Sequence, residues 1–239
     1  MTSLKCRQES KESNQSDKRP WKIIEVGGVP NLRGFGGYPT ELSRSHKTRK
    51  MFLYRSAHPG RLTEAGLNKL KDMGIKNIID LTSDNETVVN YNISLERLTN
   101  EGLLRISCPL KRGLFSIDEL LSRYGNYTTK DCEVKSISKR YVGLLEEGAE
   151  TVRKILSILC SNPRSATLIH CSLGKDRTGI IFALLLLLAG VPDPLIAMEY
   201  SVSTEGLKGS VVDIEKFLRE NTNSDALSRA RALEMATAK

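Results

Sequence analysis

The sequence has few cysteines and few aromatic residues, and each shortage excludes a class of protein. The five cysteines are odd in number and form no C-x-x-C pair, which argues against a disulfide scaffold and against a zinc site. Aromatic residues make up 5% of the chain, too few to interleave with basic residues as they do in nucleic-acid binders. We therefore expect no metal, no cofactor and no nucleic-acid partner.

The sequence also lacks a membrane span and a secretion signal. The apolar run from Ile180 to Val191 is too short to cross a bilayer, and the first twenty residues have no apolar core of the length that signal peptides need. We expect a reducing, cytoplasmic setting, which any catalytic thiol would require. The net charge of +8 favours anionic partners, including phosphate esters and phospholipid headgroups, without choosing among them.

The order of predicted elements indicates an α/β fold with a mainly parallel central sheet flanked by helices. A strand at residues 51–57, a helix capped by Thr63 and a strand at residues 77–81 have the size of a βαβ unit. One long helix is predicted from Ser138 to Cys160, after a partly helical excursion at residues 111–134. We expect residues 1–20 to be a disordered polar tail and residues 21–239 to form a single domain.

A buried strand, a short glycine-containing loop and an apolar helix surround Cys171 in the string HCSLGKDRTG, residues 170–179. The first amides of a helix lack intrahelical partners, and with the helix dipole they form a site for an anion of phosphate size. Cys171 stands at the end of the strand and faces the same amides, which stabilise a thiolate. Arg177, six residues later, can hold two phosphate oxygens with its planar guanidinium.

These groups are suited to nucleophilic attack on phosphorus. The thiolate of Cys171 would displace the ester oxygen and form a phosphocysteine, while Arg177 and the loop amides would hold the equatorial oxygens. The spacing C-x5-R alone is a weak signal, but the longer string with its flanking strand and helix is far more demanding. The substrate would be bound by the residues that line the loop, namely Ser172, Leu173, Gly174, Lys175 and Thr178.

The string HCSLGKDRTG resembles the signature loop of the cysteine-dependent phosphatases. The stretches NLRGFGGY, LYRSAHPGRLTEAGLNKLKDMGIKNIIDLTSDNE and VPDPLIAMEYSVSTEGL are similar to the atypical tyrosine phosphatases of bacteria and fungi, which act on phosphoproteins and phosphoinositides. The resemblance covers about residues 27–210 and implies a cysteine-phosphatase-like fold and activity. Two positions depart from the pattern: Gly34 stands where Asp is usual, and Thr82 stands where Arg is usual.

The proton donor for the leaving group is open among three aspartates. The single tryptophan, Trp21, belongs to no Trp-Pro-Asp string of the kind that supplies this acid in ordinary tyrosine phosphatases. Asp176 is the first candidate, because the resembling branch carries Asp at this loop position. The alternative is that Asp176 only caps the helix. Asp118 and Asp131, on the excursion before the long helix, are the second candidates.

Two further residues of the string bear on substrate and nucleophile. Lys175 would add a second cation beside Arg177, which suits a substrate with more than one phosphate, such as an inositol headgroup. The alternative for Lys175 is a surface lysine that offsets Asp176. His170 is expected to support Cys171 by orienting its backbone and stabilising the thiolate, and not to act as a base.

The sequence therefore predicts a metal-independent, cysteine-dependent phosphomonoesterase that acts on phosphoinositides, on phosphotyrosine proteins or on both. The oligomeric state is not predicted, and transient contact with a membrane surface is an expected partner interaction. The alternatives are a protein-only tyrosine or dual-specificity phosphatase and a catalytically silent phosphate-recognition module. An arsenate reductase or sulfurtransferase is a further alternative, and the reductase would need a resolving thiol such as Cys108 or Cys160 near Cys171.

Overall fold

The computed structural model describes residues 22–42, 46–83, 93–110, 130–221 and 232–238, and its centre is a five-stranded sheet. The strands lie in the order β1-β2-β5-β3-β4. Their bounds are β1 (Arg33–Gly34), β2 (Leu53–Ser56), β3 (Ile75–Asp80), β4 (Leu104–Ser107) and β5 (Ala166–His170). β1 is antiparallel to β2, and the other pairings are parallel. The predicted α/β class with a mainly parallel sheet is confirmed.

Helices cover the sheet, and side-chain caps at Thr63 and Ser94 begin the first two of them. Thr63 caps the first helix as predicted, because its Oγ1 accepts a hydrogen bond from the amide of Gly66 at 3.1 Å. Residues 232–236 are also helical, and short 3₁₀ turns occur at Pro59–Arg61 and Lys208–Ser210. The longer elements are α1 (Glu64–Asp72), α2 (Leu95–Asn100), α3 (Lys130–Glu147), α4 (Ala149–Ser161), α5 (Asp176–Leu188), α6 (Asp193–Ser201), α7 (Ser203–Gly206) and α8 (Val211–Asn221).

The sheet separates two apolar clusters, because successive side chains of a strand point to opposite faces. On β5, Leu168 packs on the face that carries Leu67 of α1. Its neighbour Ile169 packs on the other face, with Ile155 of α4 and Phe182 of α5. The end of β5 and the start of α5 are therefore held between two packed layers.

The helix predicted from Ser138 to Cys160 is two helices in the structure. α3 ends at Glu147 and α4 begins at Ala149, with Gly148 between them. A Cβ atom on Gly148 would lie 2.5 Å from Cδ1 of Leu110 and 2.6 Å from the carbonyl oxygen of Leu144, so a larger residue would require both neighbours to shift. The break lets α4 bury Ile155 against the sheet while α3 reaches the start of α5.

Some predictions fall on residues that the structure does not describe. The predicted tail at residues 1–20 and most of the predicted excursion, residues 111–129, lie outside the described ranges. The organisation of residues 21–239 as a single domain stays a prediction. No helix within the described ranges has the length and apolar character needed to cross a membrane.

Candidate active site

Cys171 lies at the carboxyl edge of the sheet, directly after its central strand. It follows His170, the last residue of β5, and the cysteine loop (residues 171–175) then leads into α5. Ser56 of β2 and Asp80 of β3 are in register with His170, so the ends of three parallel strands meet here. Parallel α/β sheets bind their ligands at this edge. The Cys171 side chain is buried at the base of the loop.

Gly174 allows the cysteine loop to turn tightly against β2. Its φ is +63°, a conformation that favours glycine, and a Cβ atom would lie 2.0 Å from the carbonyl oxygen of Ser56. The side-chain amide of Asn31 donates to the carbonyls of Leu173 and Gly174, at 3.0 and 3.2 Å. The loop is thus fixed through its carbonyl groups.

Arg55 also binds the Gly174 carbonyl and adds a hydrogen bond to one further carbonyl, that of Lys175. Its NH2 group donates to the carbonyls of Gly174 and Lys175, at 2.7 and 3.1 Å. In a trans peptide the amide points opposite to the carbonyl of the same unit. The amides of Lys175 and Asp176 therefore point away from Arg55, to the opposite side of the loop. An anion approaching that side would meet N–H donors, as the predicted site for an anion of phosphate size requires.

Arg55 is itself held in a buried ion network. Oε2 of Glu199, on α6, lies 2.6 Å from NH1 of Arg55, and Oε1 lies 2.6 Å from Nε of Arg33 on β1. Both guanidinium groups are fully buried. Burial, and then the charge of Arg55, lower the pKa of Arg33 to about 10, although Glu199 acts to raise it. Arg33 also donates to Ser203 Oγ at 2.9 Å, which links the network to α7.

The sequence leaves Arg33 and Arg55 open between lining the rim of the site and pairing with acids, and nothing in it singles out Glu199 as their partner. Arg33 and Glu199 lie 166 positions apart, and Arg55 and Glu199 lie 144 positions apart. The signal that could have found them is their place inside the resembling stretches NLRGFGGY, LYRSA and AMEY. Charged residues are almost never fully buried unless they are paired. Two arginines and a glutamate in stretches otherwise rich in apolar residues could have suggested one buried network.

Arg177 lies in the first turn of α5, and its guanidinium contacts the cysteine loop. Its NH2 group donates to Oγ of Ser172 at 3.1 Å, and NH1 donates to the carbonyl of Leu81 at 3.4 Å. Ser172 is exposed and Arg177 is half-buried. The guanidinium is therefore close to the loop mouth. Thr178 is fully buried, and its Oγ1 has no hydrogen-bond partner among the described residues.

Asp176 is bound by two tyrosines from other helices. The hydroxyl of Tyr141, on α3, donates to Oδ1 of Asp176. Tyr200, on α6, donates to the same oxygen at 3.4 Å and lies 2.8 Å from the Tyr141 hydroxyl. Burial alone would raise the pKa of Asp176, but the charge of Lys175 and the Tyr141 hydrogen bond outweigh it and lower the pKa. Asp176 is the first residue of α5, and the N-cap position is occupied by Lys175, which makes no side-chain cap hydrogen bond.

Lys175 points toward a distant part of the chain. Its Nζ donates to the carbonyls of Met235 and Thr237, at 2.8 and 3.0 Å, and the residue is 2% exposed. It is not the surface lysine that we considered as an alternative. Oδ2 of Asp176 lies 4.0 Å from the same ammonium. The predicted contact of Lys175 with a second substrate phosphate stays a prediction.

His170 contacts the backbone of Cys171. Its Nδ1 lies 3.4 Å from the carbonyl of Cys171. Burial lowers the pKa of His170 to about 4, against the opposing effect of Asp80. A ring that is neutral at pH 7 can orient the backbone but brings no positive charge to the thiolate. The predicted electrostatic contribution therefore lacks support, whereas the orienting contribution fits the contact.

His58, Asp80 and His170 form a cluster of possible metal ligands, with ligand atoms within 4.8 Å of one another. Hydrogen bonds occupy the Asp80 carboxylate and Nδ1 of His58, but Nε2 of His170 has no hydrogen-bond partner among the described residues. Asp80 accepts from Thr82, at 2.9 and 2.6 Å, and from Arg105, at 2.9 and 2.7 Å. Nδ1 of His58 accepts from Gly60 N, so the proton of a neutral ring is on Nε2.

The two other candidate acids have side chains outside the part of the chain that the structure describes. Asp118 lies outside the described residues. Asp131 belongs to α3, but its side chain is likewise outside what the structure describes.

Comparisons with known proteins relate this chain to tyrosine phosphatases. A family model described as the tyrosine phosphatase family matches residues 24–239. A tyrosine-protein phosphatase of Nostoc commune is 30% identical over 162 residues, which cover 68% of this chain and 51% of the relative. A putative tyrosine-protein phosphatase of Cupriavidus necator is 25% identical over 182 residues, which cover 74% of this chain and 61% of the relative. The chain thus spans between half and two thirds of the length of these curated relatives.

Among solved structures, the chain is similar to the core catalytic domain of the PP-IP phosphatase SIW14 from S. cerevisiae, in complex with citrate. The sequence identity is 15% and the TM-score is 0.39, over 90% of this chain and 97% of that chain.

Proposed function

Because this chain belongs to the tyrosine phosphatase family, we propose that it hydrolyses phosphate monoesters through Cys171. The family assignment confirms the resemblance drawn from the loop. The observation that carries the proposal is the position of Cys171, between the end of β5 and the start of α5, under a loop whose carbonyls are bound by Asn31 and Arg55. The amides of the same peptide units point to the opposite side of the loop, where we expect the phosphate to bind.

In the proposed first step, Sγ of Cys171 attacks phosphorus and the bond from phosphorus to the ester oxygen breaks. The loop amides and the Arg177 guanidinium hold the three remaining oxygens, with Ser172, Leu173, Gly174 and Thr178 around the phosphate. In the second step, water attacks the phosphocysteine, the sulfur–phosphorus bond breaks, and inorganic phosphate leaves with the thiolate restored. The buried Thr178 hydroxyl is placed in the first turn of α5, where it can donate to sulfur or to phosphate oxygen.

We propose Asp176 as the group that protonates the leaving oxygen and later takes a proton from water. The lowered pKa means that its carboxyl is ionised in the unliganded protein at neutral pH. A phosphate dianion bound in the adjacent loop would raise this pKa, because like charges disfavour the ionised form. A substrate that arrives as the monoanion would bring the required proton itself. Tyr141 holds the carboxyl in one orientation for either route.

The proposed substrates are phosphotyrosine proteins and phosphoinositides. The curated relatives are named tyrosine-protein phosphatases, which supports the first class. The second class depends on Lys175, whose ammonium lies next to the loop but is bound elsewhere. We place the protein in the cytoplasm, where the thiol stays reduced, and we expect contact with a membrane surface only during turnover of lipid.

The arsenate reductase alternative is disfavoured by the described cysteines. Cys108 follows β4, and β3 lies between β4 and β5. Two strand spacings put the Cα atoms of Cys108 and Cys171 roughly 10 Å apart, beyond the reach of a disulfide. Cys160 is exposed on α4.

Phosphate release by the wild type and by Cys171→Ser tests the proposal, with a phosphotyrosine peptide and a phosphoinositide panel, in the presence of chelator. Cys160→Ser is the matched control, since that thiol is exposed on α4 and away from the loop. We expect release that survives chelation, persists in the control and vanishes in Cys171→Ser. No release from any substrate, with phosphoinositide binding intact, would replace the enzyme with a phosphate-recognition module.

A further inference from the structure

The cysteine loop is connected to a segment sixty positions further along the chain. Nζ of Lys175 donates to the carbonyls of Met235 and Thr237, at 2.8 and 3.0 Å. Both acceptors belong to the last turn of the helix at residues 232–236 or to the residue after it. Carbonyls at the end of a helix lack intrahelical donors, and a lysine ammonium is a favoured partner for them. We refer to residues 232–238 as the docked segment.

The docked segment is anchored by apolar packing as well. Ala232, Met235 and Ala236 are buried, and they pack against Leu207 and Leu218. The amide of Ala238 donates to Oγ1 of Thr204 at 2.9 Å.

The same apolar cluster reaches the cysteine loop, because Leu173 packs against its edge. The docked segment therefore contacts the loop directly at Lys175 and shares an apolar cluster with Leu173.

This contact decides where the charge of Lys175 is directed. The ammonium donates to two carbonyls of the docked segment, lies 4.0 Å from Oδ2 of Asp176 and is 2% exposed, whereas Arg177 and Ser172 lie at the loop mouth. Lysine is a point charge on a flexible stem of four carbons, so loss of these acceptors would let the ammonium turn toward a bound anion.

We propose that the docked segment determines the substrate class of this site by holding Lys175; the inference rests on the proposed function. While the segment is docked, the site accepts esters that carry a single phosphate, such as phosphotyrosine. When it is displaced, Lys175 becomes available to a second phosphate on the same substrate, such as that of a bisphosphorylated inositol headgroup. Displacement does not change the attack by Cys171.

The test compares kcat/KM for two probes, a short-chain phosphatidylinositol bisphosphate and a phosphotyrosine peptide. A chain that ends at residue 231 lacks the docked segment. We expect its ratio of lipid to peptide activity to rise about tenfold over the full chain, the effect of one hydrogen bond to a charged group. Lys175→Met in the shortened chain should remove that rise. An unchanged ratio, or a rise that survives Lys175→Met, would overturn the inference.

A second variant keeps the chain intact in case the shortened chain fails to fold. Met235→Ala weakens docking from within the apolar cluster, and Leu233→Ala is its matched control, because Leu233 is 48% exposed on the same helix. Acylation of lysines, mapped by mass spectrometry, should increase at Lys175 in Met235→Ala and not in Leu233→Ala. Equal labelling of Lys175 in the two variants would overturn the docking role of the segment.

The two proposals fail in different ways. Absence of Cys171-dependent phosphate release from the peptide in the full chain would overturn the proposed function. Release from the peptide with a ratio that none of these variants changes would overturn the inference alone.

Discussion

The substitution Glu199→Ala tests whether the buried ion network supports the cysteine loop. Glu199 forms ion pairs of 2.6 Å with Arg33 and with Arg55, and both arginine side chains are fully buried. Removing the carboxylate leaves two guanidinium charges in the protein interior without their counterion. Removal of one partner of a buried ion pair costs about 3–5 kcal/mol. We take about 4 kcal/mol as the expected loss in the free energy of unfolding.

The same substitution should impair the chemistry of the loop. Arg55 binds the carbonyls of Gly174 and Lys175, so a shift of its guanidinium would move the loop amides. A displacement of about 1 Å in positioning groups costs on the order of a hundredfold in rate. We expect kcat/KM for p-nitrophenyl phosphate to fall about a hundredfold at a temperature where the variant is still folded.

Thermal unfolding followed by circular dichroism measures the first effect and initial rates measure the second. For a chain of this size, 1 kcal/mol corresponds to about 2–4 °C in Tm, so the expected decrease is roughly 8–16 °C. Glu150→Ala is the matched control, because Glu150 also pairs with an arginine on a helix but is 72% exposed. A decrease in Tm of less than about 3 °C, or an equal decrease in the control, would refute the reasoning.

Two further substitutions test the loop and its acid. Gly174→Ala should abolish most of the activity, because a Cβ atom would lie 2.0 Å from the Ser56 carbonyl at a φ of +63°; initial rates should show no comparable loss in Gly209→Ala, where nothing lies within 4 Å. Tyr141→Phe removes a hydrogen bond that lowers the pKa of Asp176, so the carboxyl should stay protonated to higher pH. The limb of the profile of kcat/KM against pH that reports Asp176 should move to higher pH. A limb that does not move would contradict Asp176 as the proposed acid.

The elements that could be predicted from the sequence are those whose signals are local. Thr63 and Gly66 stand three residues apart, so a cap could be predicted without any knowledge of the fold. The strand before Cys171 and the helix after Lys175 likewise follow from apolar runs that flank a glycine-containing loop. Local spacing also places Arg177 in the first turn of α5.

The parts that could not be predicted depend on contacts between distant segments. The break in the long helix lies at Gly148, where Leu110, thirty-eight positions earlier, packs close to the backbone. A helix pattern continues through a single glycine at a modest cost, so periodicity alone gives no reason to end it there. The partner of Lys175 is likewise set by packing of the docked segment and not by any feature of the loop itself.

The basic side chains at the cysteine loop have different partners in the structure from those that the sequence suggests. A sequence that places Lys175 beside Arg177 suggests two cations for the substrate. In the fold, Lys175 binds the carbonyls of the docked segment, and Arg55, from another strand, binds the carbonyls of the loop. A cation near an anion site can thus act indirectly. When it binds a carbonyl from one side of a loop, the amide of the same trans peptide unit points to the opposite side, toward the anion. A count of the basic residues in a motif therefore overestimates the number of cations that face the substrate. Measuring whether a substrate with a second phosphate gains activity through Lys175 shows whether this cation belongs to that number.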